Sequence, residues 1–302
     1  MELRNLRVFV EVVRRGGFTR ASKAVFATQS TVSKSVKQLE EALGVRLLDR
    51  IGTKATLTTA GDIVFRRAMQ MLAVRDDLVA ELDELQGLKR GALRVGLPAL
   101  GSDALFAPTF TAFRSQYPGI DIHLVEGGSR HLEAVLRSGD VEIAGLLQPV
   151  PDEFERTPIR NEPIVALCAR GHPLAKFRAV DFREMAGQPL ILFGPGFTMH
   201  DIIVDACARS GFSPKVVAES SQISFVAKLV AGGLGIAFMP KVTADLCRQD
   251  DIALIGLKDG AMSWNMTLAW RRGAFLSPAA TAWLALATDM GAASSPPDGN
   301  DS

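Results

Sequence analysis

The sequence predicts an α/β protein in which a small helical module and one long helix precede two α/β lobes. Three patterns support this prediction. Short capped helices occupy the first 60 residues, a seven-residue apolar repeat covers 61–88, and strands alternate with helices from Gly91 onward. A chain of 302 residues, 47% of them hydrophobic, is long and apolar enough for about two full-sized domains. We therefore expect separate parts at 1–60, 61–88 and 89–290, followed by a disordered tail at 291–302 that is rich in Gly, Pro and Ser.

The most clearly marked helix of the first part lies in the stretch ATQSTVSKSVKQLEEALG, residues 27–44. Thr28 is placed to cap its N-terminus, and Gly44 to end it in a left-handed conformation. Four apolar residues recur at the 4, 3, 4 spacing of a single helical stripe, which predicts a core-facing side. These residues are Val32, Val36, Leu39 and Leu43.

The opposite face of this helix carries short polar side chains and lysines, and by itself such a face is most simply explained as solvent-exposed. Acidic residues follow only at Glu40 and Glu41, which should mark where contact with an anion such as phosphate stops. The outward residues of the first turns are Gln29, Ser30, Thr31, Ser33, Lys34 and Lys37.

The segments on either side of this helix give the polar face a context. Upstream, an amphipathic segment at Leu3–Arg15 is followed by a short helix that Thr19 can cap and that runs to about Phe26. Two helices joined by so tight a turn have the spacing of a helix-turn-helix, whose second helix enters the DNA major groove. Downstream, a glycine-bearing loop that would form a wing carries Arg50, Thr53 and Lys54.

Charge is unevenly distributed along the chain. Residues 1–60 hold 11 Lys plus Arg against 5 Asp plus Glu, a net charge of +6, whereas the other 242 residues hold 23 against 28, a net charge of −5. The overall charge of +1 conceals this division. A basic module is typical of nucleic-acid binding, because neutralising phosphates releases condensed counterions.

The segment FTRASKAVFATQSTVSKSVKQLEEALGVRLLDR followed by LTTAG resembles the winged helix-turn-helix of LysR-type transcriptional regulators. The resemblance implies that the six polar residues listed above face DNA and that Arg50, Thr53 and Lys54 reach phosphate or the minor groove. Many members carry arginine at the position of Lys34. Because lysine lacks the bidentate fork of arginine, we expect Gln29 to read a base and Lys34 to hold the backbone.

A long helix should begin near Thr59, a possible cap, and continue to about Gly87. Its seven-residue apolar spacing either packs on the chain's own downstream domain or pairs with a partner helix. The resemblance implies antiparallel pairing in a homodimer that assembles into a homotetramer on a pseudo-palindromic site in double-stranded DNA. The residues proposed for dimerisation are Val64, Phe65, Met71, Leu72, Leu78, Val79, Leu82 and Leu85.

From Gly91 onward, the segments ALRVGL, IDIHLVEG and VEIAGLL and the helices between them predict a βαβαβ unit. A second such run begins near Pro163, and a last strand at about Ser263–Arg271 and a helix near Pro278–Met290 return to the first. The resemblance implies a bilobal effector domain of the periplasmic-binding-protein-like type 2. Lobe I would comprise about 91–161 and 267–290, and lobe II about 162–266.

Ligands of such folds bind at the strand ends, where helix N-termini direct free amides at anionic groups. Plain helix capping would equally explain the serines and threonines found there, and His200 would be either a structural residue or a donor to a carboxylate. The segment FTMHDIIVDACARSGFSPKVVAESSQ resembles a branch that controls holin-like export genes and overflow carbon metabolism, which implies a small carboxylate effector. In the predicted cleft loops, arginine occurs at Arg130. The effector candidates are Ser102, Ser129, Phe197, Thr198, His200 and Ser221.

A redox sensor and an enzyme are the alternatives to a regulator of this kind. Redox sensing would need a reactive pair of cysteines, but Cys168, Cys207 and Cys247 are widely spaced among apolar neighbours and are best explained as buried thiols. An enzyme would need a catalytic motif, and the chain has no GxSxG, HExxH or phosphate-binding glycine loop. We therefore expect no catalytic residue, no cofactor and no metal.

The cellular setting follows from the same composition. A solute-binding protein would need export, and neither a signal-peptide h-region nor an apolar run of 18 residues is found in the sequence. We expect a cytoplasmic protein that does not bind membranes, with RNA polymerase as a further candidate partner.

Overall fold

A computed structural model describes residues 1–51, 54–84, 91–258 and 262–293. The chain divides into two compact units, one of Met1–Leu85 with Arg137–Asp140 and one of Gln86–Leu136 with Val141–Ser302. Each unit is described by itself. Thr53, Leu85 and the predicted tail from residue 294 lie outside the described residues.

The first unit is a helical module with a short hairpin and a long final helix. Its elements are α1 (Leu3–Arg14), α2 (Phe18–Ala24), α3 (Gln29–Leu43), β1 (Leu48–Ile51), β2 (Lys54–Leu57) and α4 (Thr59–Glu84). The predicted apolar stripe of α3 is confirmed, because Val32, Val36 and Leu39 are fully buried. They pack with Leu6 and Phe9 of α1, so that α3 is held by one face and its polar face is left outward.

Both caps predicted for α3 are confirmed. The Thr28 hydroxyl oxygen accepts a hydrogen bond from the Thr31 N–H, and Gly44 ends the helix in the left-handed region with a φ of 69°. The cap predicted at Thr19 is wrong, because α2 begins at Phe18 and the Gly17 carbonyl already accepts the Ala21 N–H at 3.1 Å.

The cap predicted for α4 at Thr59 is also wrong by one residue. The Thr58 hydroxyl accepts the Gly61 N–H at 2.9 Å, and the Thr58 carbonyl accepts the Asp62 N–H at 2.9 Å. Thr59 is instead the first residue of the helix.

The apolar residues of α4 divide into two groups. In its first half, Val64, Phe65 and Leu72 pack against the core of the first unit, with the Phe65 ring 6.4 Å from Phe9 and edge-on to it. The dimerisation set predicted from sequence treats these three as facing a partner, whereas the structure packs them against the core of their own unit. Among the side chains of α4 that the structure describes, the exposed large apolar residues are Ile63, Met71, Val74, Leu78, Val79 and Leu82.

The second unit alternates strands and helices. Its strands are β3 (Gly91–Pro98), β4 (Ile120–Gly127), β5 (Ile143–Leu147), β6 (Phe154–Ala169), β7 (Ala179–Val180), β8 (Pro189–Leu192), β9 (Lys215–Glu219), β10 (Ile236–Pro240), β11 (Ile252–Leu257) and β12 (Ser263–Arg271). Its helices are α5 (Ser102–Gln116), α6 (Ser129–Ser138), α7 (Thr198–Arg209), α8 (Ile223–Ala231), α9 (Lys241–Leu246) and α10 (Pro278–Ala293), the last ending three residues beyond the predicted Met290.

Two long strands join two groups of parallel strands within this unit. β3 pairs in parallel with β4 and β5, and β8 pairs in parallel with β9 and β10. Between the groups, β6 pairs with β12 from Phe154 to Pro163 and with β10 and β11 from Ile164 onward. One strand therefore serves two lobes, as the predicted bilobal fold requires.

The start of β6 was predicted too late in the chain. The sequence suggests a strand near Pro163, whereas β6 begins at Phe154. Its first half, FERTPIRNE, contains a proline and four charged residues, which do not resemble a buried strand. Only a structure shows that this polar segment pairs along its whole length with β12.

The last helix returns to the first lobe. On α10, Trp283 is fully buried and lies against two rings of α5, with centroids 5.8 Å from Phe106 and 5.3 Å from Phe110. This packing brings the end of the chain beside the helix that follows β3.

Candidate functional site

The polar face of α3 is presented to solvent. Gln29, Ser30, Lys34 and Lys37 are exposed, and Thr31 and Ser33 are half-buried. At the start of the helix three hydroxyls lie together, with Thr28 Oγ1 2.9 Å from Ser30 Oγ and 2.8 Å from Thr31 Oγ1. A hydroxyl can donate and accept at once, so this cluster can hold the first turn in place and still bind an anion.

The two lysines of this face, Lys34 and Lys37, extend into solvent. Lys37 Nζ lies 3.5 Å from Glu41 Oε1, one turn along the helix, and both side chains are more than half exposed. Exposed pairs of this kind contribute little to stability, so the ammonium group can exchange this carboxylate for another anion at small cost.

The predicted wing is a two-stranded antiparallel hairpin. Arg50 lies in β1 opposite Ala55, and Lys54 lies in β2 opposite Ile51. Thr53, which was predicted to act with them, is outside the described residues. Glu40 was expected only to mark the end of the phosphate contacts, but its carboxylate binds the backbone where this hairpin begins.

The second unit brings two predicted ligand residues into direct contact. Thr198 Oγ1, at the start of α7, donates a hydrogen bond to Ser129 Oγ, at the start of α6, at 2.6 Å. The loops before these helices also approach closely, because a Cβ added to Gly128 would lie 2.4 Å from the Gly196 carbonyl oxygen. The N-termini of α6 and α7 therefore meet at one point.

A small charged group lies beside this point. His200 Nδ1 is 3.1 Å from Asp201 Oδ1, and Arg130 Nη2 is 3.6 Å from Asp201 Oδ2. Asp201 therefore links His200 and Arg130, the histidine and the arginine of the predicted cleft loops. Phe197 precedes α7, and its ring centroid lies 6.2 Å from that of Phe193.

Ser102 and Ser221 differ from their predicted settings. Ser102 is the first residue of α5 rather than its cap, and its hydroxyl donates to the Pro98 carbonyl. Ser221 does not cap the next helix, because α8 begins at Ile223 and Gln222 occupies the cap position. The capping prediction is therefore wrong for Ser221, whose side chain is exposed.

Two polar groups beside the start of α5 were missed by sequence reasoning. A Cβ added to Gly101 would lie 2.7 Å from the Trp264 ring and 3.7 Å from Thr243 Oγ1. Within the described residues, Trp264 Nε1 and Thr243 Oγ1 are buried without a hydrogen-bond partner. Buried polar groups normally find partners, which makes these two atoms available to a polar ligand. No sequence signal links them, because they lie about 140 to 160 residues from Gly101 and come together only through folding.

The three cysteines are free thiols. Cys168 and Cys207 are buried and Cys247 is half-buried. Burial raises the pKa of all three thiols, and the negative charge of Asp103 raises the pKa of Cys247 further. A raised pKa lowers the thiolate fraction at neutral pH, which opposes reaction with oxidants.

Neither a metal site nor a membrane-spanning helix occurs among the described residues. No group of three His, Cys, Asp or Glu side chains that could hold a metal ion was found in the part of the chain that the structure describes. No helix of adequate length and apolarity to cross a bilayer occurs in the ranges given above.

Comparisons with known proteins agree with both units. The family model described as a bacterial regulatory helix-turn-helix protein of the lysR family matches residues 3–62, and the LysR substrate binding domain matches residues 86–292. An uncharacterized HTH-type transcriptional regulator, YwbI of Bacillus subtilis, is 32% identical over 285 residues, which cover 94% of this chain and 95% of that protein. The transcriptional dual regulator GltC of Bacillus subtilis is 31% identical over 246 residues, which cover 80% of this chain and 82% of that protein.

Solved structures support the same fold. A full-length OxyR variant from Pseudomonas aeruginosa superposes with a TM-score of 0.75 at 23% identity, over 96% of this chain and 94% of that one. The LysR family regulator CbnR has a TM-score of 0.66 at 19% identity, over 96% of this chain and 99% of that one. The chain therefore belongs to the LysR family of DNA-binding transcriptional regulators, with an N-terminal helix-turn-helix and an effector-binding domain, and it is not an enzyme.

Proposed function

We propose that this regulator binds a pseudo-palindromic DNA site through α3 and the wing, and that a small organic acid bound in the second unit changes this binding. The observation that carries the proposal is the division of α3 into two faces. Val32, Val36 and Leu39 are fully buried, while Gln29 and Lys37 on the other side are exposed. A helix anchored in this way can enter a groove without losing its own core.

The DNA-binding residues are assigned different roles. Gln29 reads a base, since its amide can donate and accept together across an adenine edge. The hydroxyls and lysines of the same face hold the backbone, because phosphate contacts supply position and affinity rather than sequence. The backbone contacts are Ser30, Thr31, Ser33, Lys34 and Lys37 of α3 and Arg50, Thr53 and Lys54 of the wing.

The second half of α4 provides the proposed dimer contact. Met71, Leu78, Val79 and Leu82 are exposed at helical spacing, so an antiparallel copy of the helix would bury them. Two such dimers would form a tetramer. Sedimentation should therefore show a smaller assembly for Leu78→Asp than for the wild type, and an unchanged assembly would exclude this contact.

The effector is proposed to be a small carboxylate held at the N-termini of α6 and α7. Ser129, Thr198 and His200 lie together there, and free amides at a helix start favour an anion. Phe197 would cover the ligand, while Ser102 and Ser221 would contribute from the neighbouring loops. The effector acts by binding one arrangement of the lobes more tightly and so shifting the population.

The DNA-binding proposal is tested by footprinting the DNA upstream of the protein's own gene at several salt concentrations. We expect two protected half-sites about one helical turn or a multiple of it apart, with affinity falling as salt rises. Equal affinity for operator and random DNA would refute sequence-specific binding. The protein would act in the cytoplasm, where the chromosome lies, with RNA polymerase as the candidate target of its regulation.

The effector proposal needs a separate test. A thermal-shift screen of small organic acids should identify a stabilising compound, because a ligand that binds only the folded state raises the unfolding temperature. Calorimetry with His200→Ala should then show weaker binding of that compound. Unchanged affinity would remove His200 from the site.

A further inference from the structure

The backbone N–H and the backbone carbonyl of Leu47 both form hydrogen bonds, at the point where the wing begins. Glu40 Oε1, in the last turns of α3, accepts the Leu47 N–H at 2.8 Å and the Leu48 N–H at 3.3 Å. The Leu47 carbonyl accepts the Thr58 N–H at 3.0 Å, just after the wing ends. Leu47 itself is fully buried in the core of the first unit. The two ends of the wing are thus held by one residue.

The start of α4 is fastened at the same place. Thr58 Oγ1 donates to the Arg46 carbonyl at 2.8 Å and accepts the Gly61 N–H at 2.9 Å. A Cβ added to Gly61 would lie 1.9 Å from the Leu47 carbonyl oxygen, so only glycine allows this approach. The recognition helix, the wing and α4 therefore meet at Leu47 through Glu40, Thr58 and Gly61.

This junction matters because the wing cannot hold its own position. It consists of two strands of four residues each, and an isolated two-stranded hairpin is marginally stable in water. Glu40 is half-buried, and bonds from a carboxylate to backbone amides are stronger than bonds between neutral groups. The carboxylate therefore adds to the apolar packing of Leu48 and Leu57 that holds the wing beside α3.

We propose that Glu40 is a positioning residue for DNA recognition. Its carboxylate sets the wing relative to α3, so that the wing meets phosphates while α3 reads bases in the adjacent groove. This inference rests on the proposed DNA-binding function. It gives Glu40 a role through the backbone of Leu47 and Leu48, without any contact between Glu40 and DNA.

Two substitutions separate geometry from charge. Glu40→Asp keeps the negative charge but shortens the side chain by one methylene group, which should break the hydrogen bonds to the Leu47 and Leu48 amides. Glu40→Gln keeps the length and an acceptor oxygen but removes the charge. Glu41→Ala is the matched control, because it removes a neighbouring carboxylate that pairs with Lys37 rather than with the wing.

Operator affinity should be measured at several salt concentrations, well below the unfolding temperature of each variant. We expect Glu40→Asp to bind about 10-fold more weakly, with a salt slope flatter by about one because a wing phosphate contact is lost. In a footprint, the bases that α3 contacts should remain protected. Glu40→Gln should stay within about twofold of the wild type, and Glu41→Ala should bind as well as the wild type or more tightly.

The contrary outcomes are distinct. Wild-type affinity and salt slope in Glu40→Asp would overturn the inference, since loss of stability alone does not alter a salt slope. Glu40→Gln binding more tightly by the same factor as Glu41→Ala would also overturn it, by showing that Glu40 acts through its charge. Failure of the wild type to bind any operator would refute the proposed function itself.

If Glu40→Asp does not fold, the other side of the junction supplies the test. Thr58→Val removes the hydroxyl bonds to Arg46 and Gly61, and Thr58→Ser retains them. A flatter salt slope in Thr58→Val but not in Thr58→Ser would support the claim that this junction positions the wing. Identical slopes would contradict that claim.

Discussion

Thr198 donates a 2.6 Å hydrogen bond to Ser129, a residue 69 positions earlier in the chain. Because the two hydroxyls share this one hydrogen bond, removing either should cost about 1 kcal/mol, and removing both should cost little more than removing one. Urea unfolding of Ser129→Ala, Thr198→Val and the double variant measures this coupling. Fully additive losses would show that the two hydroxyls stabilise the protein independently.

Gly128 should be intolerant of a side chain. A methyl group at this position would lie 2.4 Å from the Gly196 carbonyl oxygen, so the loops before α6 and α7 must separate. We expect Gly128→Ala to destabilise the protein by about 1 to 3 kcal/mol and to weaken binding of any acid that the screen identifies. Gly194→Ala is the control from the facing loop, because a Cβ at Gly194 meets nothing within 4 Å. Equal melting temperatures for the two variants would contradict the close approach.

Gln29 and Lys37 should respond differently to substitution. Gln29→Ala should relax specificity at one base position, at a cost of about 1 to 3 kcal/mol on the preferred operator. Lys37→Ala should weaken binding to all sequences and flatten the salt slope by about one. Lys228→Ala, an exposed lysine of α8 in the second unit, controls for the change in net charge. Equal losses on operator and random DNA in both α3 variants would overturn this assignment.

Cys247 should react slowly with thiol reagents at neutral pH. Burial and then the charge of Asp103 raise the pKa of its thiol, so its thiolate fraction at a given pH is lower than that of an ordinary cysteine. Labelling should accelerate as the pH rises, and Asp103→Asn should make it faster at every pH below the raised pKa. Cys247→Ser corrects for labelling of Cys168 and Cys207.

The same experiment addresses redox sensing. Rapid labelling at neutral pH, together with a DNA footprint that moves after peroxide treatment, would make Cys247 a sensor. We expect neither, because its surroundings disfavour the thiolate.

The sequence predicted the first unit well because its signals are local. Thr28 and Gly44 act within one turn of α3, and the stripe from Val32 to Leu39 follows the period of the helix itself. Errors arose where a neighbouring backbone decided the outcome. In the structure the cap of α4 is Thr58, whose N–H donates to the Leu47 carbonyl, and the cap of α2 is Gly17.

The contacts at the starts of α6 and α7 were harder to predict than the helices. Ser129, Thr198 and His200 were proposed from sequence because each stands near a helix start, but Asp201, which pairs with His200 and Arg130, was not singled out. Thr243 and Trp264 were missed for the same reason. A contact between two distant segments produces no periodic pattern in the sequence of either one.

The sequence by itself determined the family, the order of the elements and the faces of the helices, because periodicity, capping residues and charge are properties of short segments. Tertiary structure decided which hydroxyls share a bond, which half of α4 stays exposed and what Glu40 binds. Those outcomes depend on groups that are far apart in the chain and meet only after the core has formed. The carboxylate of Glu40 is the clearest case, since its partners are backbone amides that carry no side-chain signature at all.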